Sequence, residues 1–149
     1  MINRIVNVVS MFGVIIAAIG VYLTYCSLDS LNKQMTQTHE QLTWQNYNHL
    51  NERYSNLMTK LAVAAEEGKT FENLSHENKW VIRQYFDLTS EEYWLYMNNL
   101  LPEEMWEHRI LPGLKINIKS ELISEGFSYW QSQGAFNHPE GFIDLVLSI

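Results

Sequence analysis

Between Ile5 and Leu28 the sequence has no charged residue, and between Asp29 and Glu67 it has neither proline nor glycine. The first absence makes Ile5–Leu28 a membrane-span candidate. At ~1.5 Å per residue it exceeds a hydrocarbon core of ~30 Å. Its polar residues include Asn7, Ser10 and Thr24, and Tyr22 and Tyr25 lie near one end, where an aromatic belt would sit. The second absence removes every strong helix breaker, so the spacing predicts a helix running on from the anchor to a stop at Gly68. Cysteine occurs once, at Cys26, which excludes an internal disulfide. Cations are scarce: 10 Lys+Arg face 17 Asp+Glu, a formal net charge of −7. A broad basic face is therefore excluded, and with it duplex nucleic acid as a partner and flat adsorption on anionic lipid.

A cleaved signal peptide is the competing reading of the N-terminus, since Ala18-Ile19-Gly20 has a small-x-small pattern. The apolar run continues past that point, and Arg4 is its only basic flank on the N-terminal side. Tyr25 stands where a lipoprotein signal needs a small residue before Cys26. An uncleaved, single-pass anchor in a bacterial inner membrane is expected. Arg4 at one end and Lys33, offset by Asp29, at the other lean toward a cytoplasmic N-terminus. So short a tail also crosses a membrane easily.

Along the anchor, Ser10, Gly13, Ala17, Gly20 and Thr24 recur at spacings of three and four and form one stripe of a helix. Val14, Ile15, Ile16, Ile19, Val21 and Leu23 occupy the other faces. Small residues on one face let helix backbones approach closely in lipid, so this stripe is the expected self-association surface. Leu28, Leu31, Met35, Thr38 and Leu42 keep the spacing. After a phase slip, Tyr47, Leu50, Tyr54, Leu57, Leu61 and Ala64 resume it. Three arrangements suit this connector: a parallel bundle, a helix broken near Thr43, or a helix folded back with Leu50–Ala64 against the C-terminal domain.

From Lys69 the chain is rich in aromatics and reads as short helices. Ser75 predicts an N-cap for a helix through Trp80, Val81, Tyr85 and Phe86 to Met97, ended by Asn98-Asn99. Pro102 with Glu103 and Glu104 predicts a helix start, and Pro112-Gly113 a kink or restart. Further helices are expected over Phe127 to Gln133, stopped by Gly134, and from Pro139, carrying Phe142, Leu145, Val146 and Ile149 inward. Trp80, Trp94, Trp106 and Trp130 are read as core. The fold class is all-α: a transmembrane helix continuing into a long helix, then a compact aromatic-rich helical module. The corresponding domains are an anchor over 1–28, a helical connector over 29–68 and a soluble helical domain over 69–149.

The run YFDLTSEEYWLYMNNLLPEEMWEH, Tyr85 to His108, resembles a pattern of small bacterial single-pass membrane proteins of unknown function, the DUF4760-type group. Trp130 and the closing HPEGFIDLV fit the same layout. The resemblance implies a helical fold and a membrane location, with no chemistry attached. More loosely, the architecture is similar to that of the small membrane effectors of type III CRISPR defence, whose soluble domains bind a cyclic oligoadenylate. That likeness is of layout and matches no motif residue by residue.

No catalytic constellation is legible. His39, His49, His76, His108 and His138 are scattered, and no strong metal spacing, phosphate loop or nucleophile elbow occurs. Glu103, Glu104 and Glu107 are read as charges complementing a helix N-terminus. Neither enzyme activity, nor a metal, nor a cofactor is expected. His108–Lys119 departs from the acidic background with His108, Arg109, Lys115 and Lys119 and no acid. On an unbroken helix His108, Lys115 and Lys119 share a face, with Trp106 half a turn away. A restart at Pro112-Gly113 would add free backbone N–H groups. Those groups with Trp106 and Asn117 would suit a small anionic nucleotide: charge for phosphate, a flat ring for the base. The competing reading is a solvated face pairing with Glu103, Glu104 or Glu121. Two functions follow. One is a self-assembling membrane effector, gated by a nucleotide second messenger in antiviral defence, with the soluble domain in the cytoplasm. The other is a passive anchor or adaptor holding a partner protein at the bilayer. The first is the preferred reading.

Overall fold

A computed structural model describes the backbone of residues 2–67 and 70–149 and the side chains of 13–66 and 70–149. The Ser10 side chain and the expected helix stop at Gly68, with Lys69 after it, lie outside the described residues. Helix α1 covers Ile2–Glu67, so Thr43 lies inside a helix and the expected alternative of a break there is not realised. Among the described residues there is no strand, and the fold is all-α.

The chain divides into two units, one ending at Gln41 and the other Leu42–Ile149. In the first, the described side chains of α1 are exposed: Val14, Ile16 and Val21 are 69%, 68% and 71% exposed. Among the described residues this is the one helix long and apolar enough to cross a membrane. On a straight helix, Gly13, Ala17, Gly20, Thr24, Leu28, Leu31, Met35, Thr38 and Leu42 all fall within about 80° of one another. Leu28, Leu31, Met35 and Leu42 are exposed.

The second unit takes in the end of α1. Residues 42–67 belong with the module, because Leu50, Leu57, Leu61 and Ala64 are buried in its core. The phase slip after Leu42 marks where the apolar face of α1 changes from an exposed seam to a core face. Of the arrangements open in the sequence, the packing of Leu50–Ala64 on the C-terminal helices is present within the single chain.

Around that face stand α2 (His76–Met97), α3 (Glu103–Met105), a π-helical turn (Trp106–Ile110), α4 (Leu111–Asn117), α5 (Glu121–Ser132) and α6 (Phe142–Leu147), with a 3₁₀ turn at Phe71–Asn73. Ser75 caps α2 as its spacing predicts, its Oγ accepting from the Asn78 N–H at 3.2 Å. The helix ends at Asn98 and Asn99, where Asn99 takes the left-handed φ of 56° and the Leu100 N–H returns to the Leu95 carbonyl. Pro102 precedes α3 as its N-cap, so the helix starts at Glu103, one position after the expected start.

Helix α5 begins at Glu121, six positions before the expected Phe127, because Leu122, Ile123, Gly126, Phe127 and Trp130 form one apolar stripe. Gly126 lets it approach α2: a Cβ there would lie 2.6 Å from Ile82 Cγ2 and 3.0 Å from the Phe71 ring. Helix α6 begins at Phe142, later than the expected Pro139. It buries Phe142 and Val146, whereas Leu145 is only half-buried and Ile149 is exposed, contrary to expectation. The core centres on aromatics. Phe86 meets Phe127 at 4.9 Å between centroids, and Phe127 stacks on Phe136 at 5.5 Å. Trp106 and Trp130 are buried, but Trp80 and Trp94 are 39% and 40% exposed and stand outside the core predicted for all four.

Candidate functional site

In the basic stretch the expected helix restart does not occur. The π turn Trp106–Ile110 lies directly before Pro112, and the Leu111 N–H donates to the Trp106 carbonyl. The helix then continues through Gly113 to Asn117. Widening the helix by one residue accommodates the N–H that Pro112 lacks, so no fresh set of free N–H groups faces solvent.

The six candidate ligand residues separate into two groups. His108, Arg109, Lys115 and Lys119 are exposed, Lys119 lying in the turn beyond α4. Trp106 and Asn117 face inward. Trp106 is 2% exposed, stacked on Tyr96 at 5.2 Å and an interplanar angle of 12°, with Tyr93 at 5.5 Å. Its ring faces are occupied by core aromatics and are not offered to a base. Asn117 Nδ2 donates to the Tyr85 hydroxyl at 3.0 Å. Arg109 Nη1 donates to the Tyr47 hydroxyl at 2.7 Å, and its guanidinium lies 6.0 Å from the Tyr47 ring centre. Among the described residues no carboxylate pairs with Arg109, Lys115 or Lys119, so pairing with Glu103, Glu104 or Glu121 is absent.

A second constellation has no motif in the sequence to announce it. Tyr54 of α1, Tyr85 and Glu92 of α2 and Asn117 of α4 form a polar cluster inside the module. Asn117 Nδ2 donates to the Tyr85 hydroxyl and also favours the ionised form of Tyr54. Burial holds both phenols above their ordinary range, against the lowering effect of Asn117. Glu92 is 3% exposed, and its Oε2 makes no hydrogen bond. Burial pushes its carboxyl up to about 8; the neighbouring Glu91 adds to this and Arg53 opposes it. Arg53 is committed elsewhere, to Glu91 at 2.7 Å. Glu92 therefore carries its proton at neutral pH.

The surface of the module also carries shallow grooves, two of which border α2. One, of about 410 Å³, runs between α1 and α2 and is lined by Arg53, Asn56, Lys60, Gln84 and Asp87. The other, of about 350 Å³, is formed by Ser90, Glu91, Trp94, His138 and Pro139. Nearby on α2, the Arg83 guanidinium lies 4.8 Å from Trp80 and 5.0 Å from Trp130. Among the described residues no group of three His, Cys, Asp or Glu side chains is placed to hold a metal.

No protein-family model, curated protein or solved structure matches the chain.

Proposed function

We propose that this chain is a single-span membrane effector that self-associates through α1 and responds to a signal received by its helical module. The observation that carries this reading is the composition of α1. One helix supplies a lipid-compatible segment with a small-residue stripe, an exposed seam of Leu28, Leu31, Met35 and Leu42, and the buried face Leu50–Ala64. Four exposed apolar side chains in a water-facing helix favour a covering partner. A second copy fits best, because the seam continues the stripe that would pair two anchors in parallel. Because α1 contributes to the module's core, a change in module packing acts directly on the helix that carries the anchor.

The ligand class this reading carries is a small anion near His108, Lys115 and Lys119. The buried Trp106 withdraws the base-stacking part of a nucleotide site and leaves the charge. In a bacterial inner membrane, a cytoplasmic module is the side such a signal requires. The adaptor reading rests on a different observation, the half-exposed Trp94 beside the groove at His138 and Pro139.

Cysteine scanning tests the reading. With Cys26 replaced, Leu31→Cys on the seam should form disulfide-linked dimers in native membranes, whereas Asn32→Cys beside it should form few. Equal yields at both positions would overturn the parallel pair. An impermeant thiol reagent on Ser132→Cys reads the side, and labelling from the periplasm would remove the cytoplasmic placement.

A further inference from the structure

Among the described residues, the module buries three polar side chains, Thr89, Ser90 and Glu92. The first two are satisfied on their own helix. Thr89 Oγ1 donates to the Tyr85 carbonyl at 2.9 Å, and Ser90 Oγ to the Asp87 carbonyl at 2.8 Å. Glu92 is different. It lies on the same stripe of α2 as Tyr85, Leu88 and Leu95, with one oxygen that makes no hydrogen bond. A neutral carboxyl tolerates that position, whereas an unpaired carboxylate in such surroundings does not.

None of the charged and titratable groups that act on Glu92 forms an ion pair with it. From α1 come Arg53 and Tyr54, and from α2 come Tyr85 and Glu91. Helix α4 contributes Asn117, an amide already donating to the Tyr85 hydroxyl. Arg53 is the sole cation among them, and its 2.7 Å bond to Glu91 holds it at the exposed rim. Ionised Glu92 would stand beside the Glu91 carboxylate and within electrostatic reach of Tyr54 on α1.

We propose that Glu92 is a proton site operating a latch between α1 and α2: with the proton bound, the Leu50–Ala64 face of α1 stays seated, and with the proton lost that face loosens. The inference deepens the signal-responsive reading above, on which it rests for its biological meaning, by naming the proton as a signal. The raised pKa of Glu92 puts the transition near neutral pH. The linkage sign is fixed by that shift. The seated state holds the proton more tightly than an open state with an ordinary carboxyl, so opening grows as pH rises and levels off above about 8.

The test uses the full chain in nanodiscs and hydrogen exchange from pH 6 to pH 9, corrected for intrinsic exchange. In the wild type, the opening constant of the Leu50–Ala64 amides should rise about tenfold per pH unit up to the plateau. The amides of α5 should change far less. Glu92→Gln keeps the shape without the titration and should give a flat profile; Glu92→Leu should do the same if the glutamine variant folds poorly. A flat wild-type profile would overturn the latch, as would equal slopes in wild type and variants. So would α5 opening in step with α1, because that marks general core loosening. The Leu31→Cys cross-link, read in the same membranes, separates the two ideas: its absence overturns the assembly and leaves the latch standing.

Discussion

Arg109 of the π turn donates from Nη1 to the hydroxyl of Tyr47 on α1, at 2.7 Å and across 62 positions of sequence. The bond ties the basic stretch to the helix that enters the module. It is exposed, so solvent screens it, and removing either partner should cost no more than ~0.5–1.5 kcal/mol. Arg109→Ala and Tyr47→Phe should lower the melting temperature slightly. Their double variant should cost less than the sum of the two, which a double-mutant cycle by thermal denaturation would measure. Strict additivity would mean that the two side chains do not act as a pair.

Trp106 and Trp94 make a second comparison. They lie on neighbouring elements and differ in exposure, 2% against 40%. Trp106→Ala should destabilise the module by ~3–5 kcal/mol, because it empties the space between Tyr93 and Tyr96. Trp94→Ala should stay within about 1 kcal/mol in stability. Loss of a captured partner on Trp94→Ala, with stability kept, would favour the adaptor reading. A similarly small stability loss for both would contradict the core placement of Trp106.

At Gly126 the argument is steric. A Cβ added there would approach Ile82 Cγ2 to 2.6 Å, closer than side chains pack, and Phe71 blocks the other side. Gly126→Ala gains helix propensity of about 1 kcal/mol, but an overpacking cost of up to ~3 kcal/mol should outweigh it. The melting temperature should fall. A rise would show that α5 and α2 separate without cost.

Much of this fold is legible in the residues. Ser75, Asn98-Asn99 and Gly134 punctuate helices where their chemistry predicts, and the spacing of Leu50, Leu57, Leu61 and Ala64 reads as a core face. The beginning of α5 is hidden because Glu121 and Ser124 interrupt the apolar pattern, leaving Phe127 as the first conspicuous anchor. The candidate site is legible only in its cations. Trp106 and Asn117 lie about half a turn from His108, Lys115 and Lys119, so the spacing that gathers the cations on one face turns these two away from it. Glu92 has a readable signal, lying three positions from both Thr89 and Leu95 on the apolar stripe of α2. It is masked by the acidic pair Glu91-Glu92, of which one member faces solvent and the other the core.

The Glu92 carboxyl also sets how overall stability depends on pH. Its folded-state pKa of about 8 lies above the ordinary value of 4.5. The folded state therefore favours the neutral acid. That stabilisation is complete below about 4.5 and is lost as pH rises toward 8. Glu92→Gln should leave the melting temperature nearly unchanged at pH 5 and raise it at pH 8, by an amount equivalent to a few kcal/mol. Melting curves of the two proteins that stay parallel from pH 5 to pH 8 would contradict an elevated pKa.

The seam of α1 gives the most direct test of self-association, because the single chain already excludes one explanation. A Cβ at Gly13 or Gly20 meets nothing within 4 Å. Gly13→Leu with Gly20→Leu therefore creates no clash within one copy, and leucine improves both helix propensity and hydrophobicity. Insertion should be kept or strengthened. If two anchors pack through the Gly13, Ala17, Gly20 and Thr24 stripe, the new side chains hold their backbones apart, and dimer yield at Leu31→Cys should fall several-fold. Val14→Leu with Val21→Leu adds bulk off the stripe and should leave that yield unchanged. A yield that survives the glycine substitutions would assign the seam beyond the membrane, Leu28, Leu31, Met35 and Leu42, as sufficient for pairing. Leu31→Glu with Met35→Glu should then abolish it, since like charges would face each other across the two helices. A yield surviving both pairs of substitutions would leave α1 with no role in holding copies together.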